Sequence, residues 1–100
     1  MLACGIDVGS RNVSAVIIDD EAILAHYIIT SAEEGSSIAR RVVNEAVART
    51  KYKFDDIQYI VVTGCGRNSV PFANRTGENF RVYKSAAADH FYIIKDFSFI

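Results

Sequence analysis

Hydrophobic residues near the start of the chain fall in three short runs that polar residues separate. The runs at 2–8 and 13–18 are apolar at nearly every position, which is typical of strands buried on both faces of a sheet. A third run at 22–29 follows the polar turn at 19–21. Because the connections are so short, the three strands are predicted to form an antiparallel meander.

The hydrophobic period changes to that of a helix after the third run. Apolar residues between 38 and 47 recur on one side of a helical wheel, so this segment is predicted to be an amphipathic helix with a solvated charged side. Ser31 and Glu34 fit a capping box for its start, but Gly35 disfavours that placement and makes Ser36 the alternative N-cap. The apolar side comprises Ile38, Ala39, Val42, Val43, Ala46 and Val47, and the charged side Arg40, Arg41, Glu45 and Arg49.

A fourth strand is predicted at 57–63, where residues of high β propensity dominate. The Gly, Asn and Pro content of 64–79 indicates a loop, with a short helical turn expected after Pro71. Phe54 and Phe72, on either side of this strand, are interpreted as core or interface residues.

The last part of the chain has a weaker pattern. Residues 80–83 are predicted to form a fifth strand, 84–90 a helical turn and 91–100 an apolar strand. Such an apolar strand is expected to pair with a segment that follows it.

The predicted elements follow the order β-β-β-α-β, which indicates an α/β protein with a mixed sheet and helices on its faces. This order is that of the first part of a ribonuclease-H-like domain. We therefore expect residues 1–77 to form the N-terminal part of one such domain, and residues 78–100 to be a poorly matched tail that continues it.

Composition restricts the class of protein. Half of the 100 residues are hydrophobic and 23% are charged, so the chain is expected to fold rather than to be disordered. A net charge of −1, with basic residues scattered among acidic ones, gives no electrostatic footprint for nucleic acid or for a membrane surface. No run reaches the ~20 apolar residues of a membrane span, and no signal peptide is recognised. A cytoplasmic protein is the simplest interpretation.

Metal-ligating residues are too few for a complete zinc or iron–sulfur site. The sequence has two cysteines, Cys4 in a predicted strand and Cys65 in the predicted loop, without a Cys-x-x-Cys pair. Cys4 is expected to be a buried, reduced thiol that behaves as a small hydrophobe. The two histidines, His26 and His90, are interpreted as structural and surface residues.

A short polar segment between the first two strands is the strongest candidate for chemistry. Its residues Gly9, Ser10, Arg11 and Asn12 can direct backbone and side-chain donors into one concavity, a nest for phosphate oxygens. A Cβ at Gly9 would keep a phosphate away from the backbone. Asp7, beside this nest, would hold Mg²⁺ through water, because Mg²⁺ keeps much of its hydration. The alternative is an ordinary hairpin turn with an Asp cap.

Two motifs carry a resemblance to a known family. GIDVGSRNVSAVIID resembles the phosphate-1 motif of the actin/Hsp70/sugar-kinase superfamily of ATPases. VVTGCGRNSVPFANRTG, at 61–77, resembles the ATGYGR signature of one branch. That branch comprises the ATPase activators of 2-hydroxyacyl-CoA dehydratases and the related ATP-hydrolysing subunits of benzoyl-CoA reductases. Both motifs occur in family order with a matching helix between them, so the resemblance covers residues 2–77.

The resemblance implies a mechanism and its residues. In that family, ATP hydrolysis changes the angle between the protomers of a homodimer. The movement lets a 4Fe–4S cluster at the dimer interface pass one low-potential electron to the dehydratase or reductase component. The resemblance implies that Asp7 lies on the magnesium side of Mg-ATP or Mg-ADP. The residues implied around the phosphates are Gly9, Ser10, Arg11 and Asn12. The implied signature loop contains Gly64, Gly66 and Arg67, and it either lines the nucleotide cleft or relays the state of the bound nucleotide.

Three positions depart from the family pattern: Asn12 stands where members often carry Thr, Ser14 where they often carry Lys, and Cys65 where Tyr is usual. The second phosphate motif, the cluster ligands and the adenosine-binding glycines of the family come later than these 100 residues. We therefore expect these 100 residues to be the N-terminal part of a longer protein and to have little or no ATPase activity by themselves.

Other functions are compatible with the hairpin alone. One is a sugar or small-metabolite kinase of the same superfamily, which would need a downstream catalytic Asp for the substrate hydroxyl. Another is a non-catalytic actin-like scaffold, which would lack the TGCGR loop found here at 63–67. The last is a chain without independent function that self-associates through an exposed sheet edge.

Overall fold

A mixed sheet with one α-helix against it forms the body of the computed structural model, which describes residues 1–19, 22–30, 36–76, 81–84 and 91–94. The strands are β1 (Ala3–Val8), β2 (Asn12–Ile18), β3 (Ile23–Thr30), β4 (Tyr59–Thr63), β5 (Arg75–Thr76), β6 (Arg81–Lys84) and β7 (Phe91–Ile94), and the helix is α1 (Ser36–Val47).

The sheet has the strand order β3-β2-β1-β4-β5. β1, β2 and β3 form an antiparallel meander, whereas β4 pairs parallel with β1 and with β5. α1 supplies the crossover from β3 to β4 that parallel pairing requires. The predicted β-β-β-α-β order and the ribonuclease-H-like fold class are confirmed, with β1 at the centre of the sheet.

The hydrophobic core lies between α1 and the sheet. Alternate residues of β1, among them Cys4 and Ile6, face α1, as the period of a strand requires. The helix contributes the apolar side that its period predicted. The buried residues of this core are Leu2, Cys4, Ile6, Val8, Val13, Ala15, Ile17, Ile38, Ala39, Val42, Val43, Ala46, Val47, Ile60, Val62 and Val70.

The opposite face of the sheet is covered as well. β6 and β7 pair antiparallel as a separate two-stranded sheet whose backbone lies close to β1, β2 and β3. Ala3, Val16 and Val61, on this second face, are buried. Burial on both faces explains why the central strands are apolar at nearly every position.

The positions of two predicted elements are wrong. The fourth strand begins at Tyr59 rather than at 57, because Asp56 accepts a bond from the Lys53 N–H at 2.8 Å and closes a 3₁₀ turn over Phe54–Asp56. The helical turn lies at Arg67–Ser69, before Pro71 instead of after it. β7 pairs antiparallel with the preceding β6, and the predicted pairing of the terminal apolar strand with a following segment lies outside the described residues.

Some predictions fall outside the described residues. These are the N-cap at Ser31 with Glu34 and Gly35, and the helical turn predicted within 85–90. Ser36, the alternative N-cap, is the first residue of α1.

The charged side of α1 is exposed, and it also has an aromatic contact. The guanidinium carbon of Arg40 lies 3.5 Å from the Phe54 ring centroid, and Phe54 packs edge-to-face on Phe72 with centroids 5.8 Å apart. Both rings pack against the core, as predicted. No helix among the described residues is long and apolar enough to cross a membrane.

Replacing Ile38 by Ala tests the importance of the helix–sheet core. Ile38 is 2% exposed, so Ile38→Ala is expected to lower the free energy of unfolding by about 2–5 kcal/mol through lost burial and a residual cavity. Urea unfolding would measure it, with Arg41→Ala on the exposed side of the same helix as the control. Equal losses in both variants would contradict this location of the core.

Candidate functional site

The carboxyl ends of β1 and β4 meet at one edge of the sheet. Asp7 and Thr63 are direct partners in the parallel pairing of these strands. The segments that follow the two strands, residues 9–12 and 64–69, therefore begin side by side. Open α/β sheets bind ligands at this kind of edge, outside the carboxyl ends of parallel strands. Both motifs singled out in the sequence are thus brought to one place.

The tip of the β1–β2 hairpin is closed by its own backbone. The Gly9 N–H donates to the Asn12 carbonyl at 2.9 Å, and a Cβ on Gly9 would lie 3.0 Å from that oxygen. Gly9 therefore permits a tight turn, and its N–H is occupied within the hairpin. Ser10 and Arg11 lie exposed at the tip, where their N–H groups and side chains can face an anion.

Asn12 is oriented by a residue that sequence reasoning missed. The Thr30 hydroxyl donates to Asn12 Oδ1 at 2.8 Å, across the pairing of β2 with β3. This bond uses the acceptor end of the amide and leaves the NH₂ group as a donor. Only the strand register relates the two residues, so no local sequence signal could have identified Thr30.

Asp7 is half-buried on the sheet face opposite α1. Desolvation by burial raises the pKa of its carboxyl above the ordinary value. Among the described residues, no cation and no hydrogen-bond donor contacts this carboxylate. Its partner on β2 is Ser14, which is buried and neutral. An oxygen ligand without a protein cation fits Mg²⁺, which prefers carboxylate and water oxygens.

The signature loop packs directly on Asp7. Gly64 has φ = +97°, a conformation that favours glycine. A Cβ on Gly64 would lie 2.5 Å from Asp7 Oδ1 and 2.5 Å from the Val8 carbonyl oxygen. The Gly66 N–H donates to that same carbonyl at 3.0 Å. The loop is therefore seated on the last two residues of β1.

The loop is also closed on itself. Gly64 O accepts from the Arg67 N–H at 3.2 Å and from Arg67 Nη1 at 3.0 Å. Gly66 O accepts from the Ser69 N–H at 3.0 Å and from Ser69 Oγ at 2.7 Å. The three predicted loop residues thus occupy one tight turn beside Asp7.

A second residue missed from the sequence anchors the far end of the loop. The Asn74 side chain accepts from the Ile60 N–H at 2.8 Å, and the Asn74 N–H donates to Ile60 O at 2.9 Å. Val70, which lies in the chain between Ser69 and Asn74, is buried in the core. The loop is consequently held to β4 at both of its ends.

The cysteines do not fit an iron–sulfur cluster. Cys4 is buried, which raises the pKa of its thiol, and Cys65 is exposed in the signature loop. Within the described part of the chain, no group of three or more His, Cys, Asp or Glu side chains could hold a metal ion.

The fold and this edge of the sheet define the first part of an actin-like ATPase domain. The model of the BadF/BadG/BcrA/BcrD ATPase family matches residues 4–93, and the chain belongs to this family. It is 37% identical over 67 residues to the activator of lactoyl-CoA dehydratase from Anaerotignum propionicum, covering 67% of this chain and 26% of that protein.

Solved structures agree with this assignment. The activator of the 2-hydroxyisocaproyl-CoA dehydratase from Clostridium difficile, with bound ADPNP, superposes with a TM-score of 0.69 and 32% identity over 77% of this chain and 29% of its own. Component A of the Acidaminococcus fermentans (R)-2-hydroxyglutaryl-CoA dehydratase also superposes with a TM-score of 0.69. It is 29% identical in sequence, and the match covers 77% of this chain and 30% of component A. The chain spans less than a third of the length of these relatives.

Gly64→Ala tests the seating of the loop on β1. The substitution is expected to destabilise the chain by about 1–3 kcal/mol, because a Cβ would strain the positive φ and displace Asp7 or Val8. Thermal unfolding would measure it, with Asn68→Ala at an exposed position of the same loop as the control. Equal stability of the two variants would contradict the geometry.

Asp7→Asn tests the partial burial of the carboxylate. Because the folded-state pKa is raised above the unfolded value, the folded state retains the proton to higher pH, and the charged form lowers stability above the folded pKa. That loss disappears as pH falls below the unfolded value. The variant is therefore expected to be more stable than wild type at pH 7, and this advantage to vanish in acid.

Urea unfolding as a function of pH, without metal or nucleotide, would measure the difference. Asp55→Asn, at an exposed carboxylate, controls for the loss of one negative charge. A pH-independent effect of Asp7→Asn would contradict a role for desolvation.

Proposed function

We propose that this chain is the nucleotide-binding N-terminal part of an ATP-dependent activator of a 2-hydroxyacyl-CoA dehydratase or benzoyl-CoA reductase. One observation carries the proposal: the family's signature loop packs through Gly64 onto Asp7, at the base of the phosphate hairpin. The two motifs therefore form one site. A bound ADPNP in the Clostridium difficile activator supports a nucleotide ligand.

The hairpin tip binds the phosphates of ATP or ADP. The N–H groups of Ser10 and Arg11 and the Ser10 hydroxyl supply donors, and the Arg11 guanidinium supplies a positive charge at the exposed tip. The NH₂ group of Asn12, oriented by Thr30, adds a further donor. Gly9 keeps the turn tight enough for these groups to converge.

Asp7 holds Mg²⁺ on the side of the site that faces the signature loop. Its carboxylate contacts no cation among the described residues, and Ser14 beside it leaves the charge uncompensated. Bound Mg²⁺ would offset the charge of the β- and γ-phosphates. Gly64, Gly66 and Arg67 form the wall of the cleft next to this carboxylate.

The family's further properties complete the proposal. They are a cytoplasmic location, a homodimer, and a dehydratase or reductase component that receives the electron. A 4Fe–4S cluster does not fit the two cysteines of this chain, one of which is buried, so we assign no step to a cluster here. ATP hydrolysis in the superfamily takes place between two domains, and the chain spans less than a third of the length of its relatives.

Titration calorimetry with Mg-ADPNP tests the nucleotide site without the complication of hydrolysis. Wild type is expected to bind weakly, and Asp7→Ala and Gly9→Val are each expected to abolish the heat of binding, through loss of the metal-side carboxylate and of the tight turn. The same titration with Mg-ADP would extend the result to the product.

Two controls separate binding from folding. Asp55→Ala removes an exposed carboxylate on the chain and is expected to bind as wild type does. Circular dichroism would establish that each variant is folded before it is titrated. A folded wild type that binds neither nucleotide, or unchanged binding by Asp7→Ala, would refute the proposed site.

A further inference from the structure

We infer that Arg67 is a positioning residue, which sets the place of the Asp7 carboxylate by fixing the backbone of Gly64, and does not act through its charge on the nucleotide. The inference rests on the proposed function, because it needs Asp7 as the magnesium-side carboxylate.

The first step is the bond from Arg67 to Gly64. A single carbonyl oxygen, that of Gly64, accepts both the Arg67 N–H at 3.2 Å and Arg67 Nη1 at 3.0 Å. Two donors on one carbonyl restrict rotation of the peptide plane that follows Gly64. This restriction matters because Gly64, at φ = +97°, has more conformational freedom than any other residue type would have there.

The second step is the contact from Gly64 to Asp7. No Cβ fits between Gly64 and Asp7 Oδ1, since a Cβ at this position would lie 2.5 Å from that oxygen. The Gly64 backbone is therefore a wall for the carboxylate on the β4 side. A displaced Gly64 would let Oδ1 move and change where the carboxylate presents its lone pairs.

The remaining loop contacts hold the other part of the turn. The Gly66 N–H and the Cys65 thiol approach the Val8 carbonyl oxygen at 3.0 and 3.6 Å. Ser69 holds the Gly66 carbonyl. Arg67 supplies the equivalent side-chain bond at the Gly64 end, so both ends of the short turn are fastened.

The sign of one measurement separates positioning from charge. If the Arg67 charge acts near the metal site, its removal reduces repulsion and strengthens binding of a divalent cation in the absence of nucleotide. If Arg67 positions Asp7, loss of its bond to Gly64 weakens that binding. Mn²⁺ alone is a suitable probe, because electron paramagnetic resonance measures the free ion directly.

Two replacements divide the properties of the side chain. Arg67→Lys keeps the charge but loses the planar fork and is one bond shorter. Arg67→citrulline keeps the shape and the terminal NH₂ donor but loses the charge. The second variant is accessible by native chemical ligation between Gly64 and Cys65, which leaves no scar in the sequence.

We expect Mn²⁺ binding about tenfold weaker in Arg67→Met and Arg67→Lys, the effect of losing one charge-assisted hydrogen bond. Arg67→citrulline is expected to stay within about twofold of wild type, because its NH₂ group still donates to Gly64 O.

Arg41→Met, on the exposed side of α1, controls for charge and is expected to bind as wild type does. Circular dichroism on each sample establishes that the measured species is folded, and the citrulline and Lys variants decide the result if Arg67→Met does not fold.

The outcomes separate this inference from the proposed function. Retained binding in Arg67→Lys with altered binding in Arg67→citrulline overturns positioning in favour of charge. If Mn²⁺ binding is lost in Asp7→Asn but is the same as in wild type for every Arg67 variant, the inference about Arg67 is overturned and the proposed function is not. A folded wild type that does not bind Mn²⁺, or that binds it equally well as Asp7→Asn, overturns the proposed metal role of Asp7 and the inference with it.

Discussion

The parallel pairing of β1 with β4 is the constraint on which the rest of the site depends. Asp7 and Thr63 lie opposite each other in this pairing, and the residues after them share one edge of the sheet. Gly64 then meets Asp7 with no room for a side chain between them. The apolar side of α1, packed on β1 and β2, makes the crossover compact enough to hold β4 in that place.

The site keeps a carboxylate where the surrounding sheet favours apolar groups. Ala3 and Val16 are buried on the same face as Asp7, and the pKa of Asp7 is raised by desolvation. Water still reaches this end of β1, because the hairpin tip beyond it is exposed. A partly desolvated carboxylate lowers the stability of the free protein and strengthens its electrostatic interaction with a cation, a compromise common at binding sites.

The period of the hydrophobic residues was enough to predict the meander, α1 and β4, because burial on one or both faces governs which positions are apolar. Errors occurred where local hydrogen bonds compete with that pattern. Asp56 caps a 3₁₀ turn and delays β4 to Tyr59. The Ser69 N–H and hydroxyl both donate to Gly66 O, and the helical turn therefore lies at Arg67–Ser69, before Pro71.

The sequence by itself determined the order of elements, the amphipathic side of α1, and two glycine-containing motifs that mark the family. Only the tertiary structure decided that Gly64 packs on Asp7, that Thr30 orients Asn12, and that Arg67 bonds to the Gly64 carbonyl. The reason is physical: the pattern of apolar residues reports the burial of each segment separately. Contacts between distant segments depend on strand register, turn geometry and the space left between backbones, which are established only when the sheet assembles.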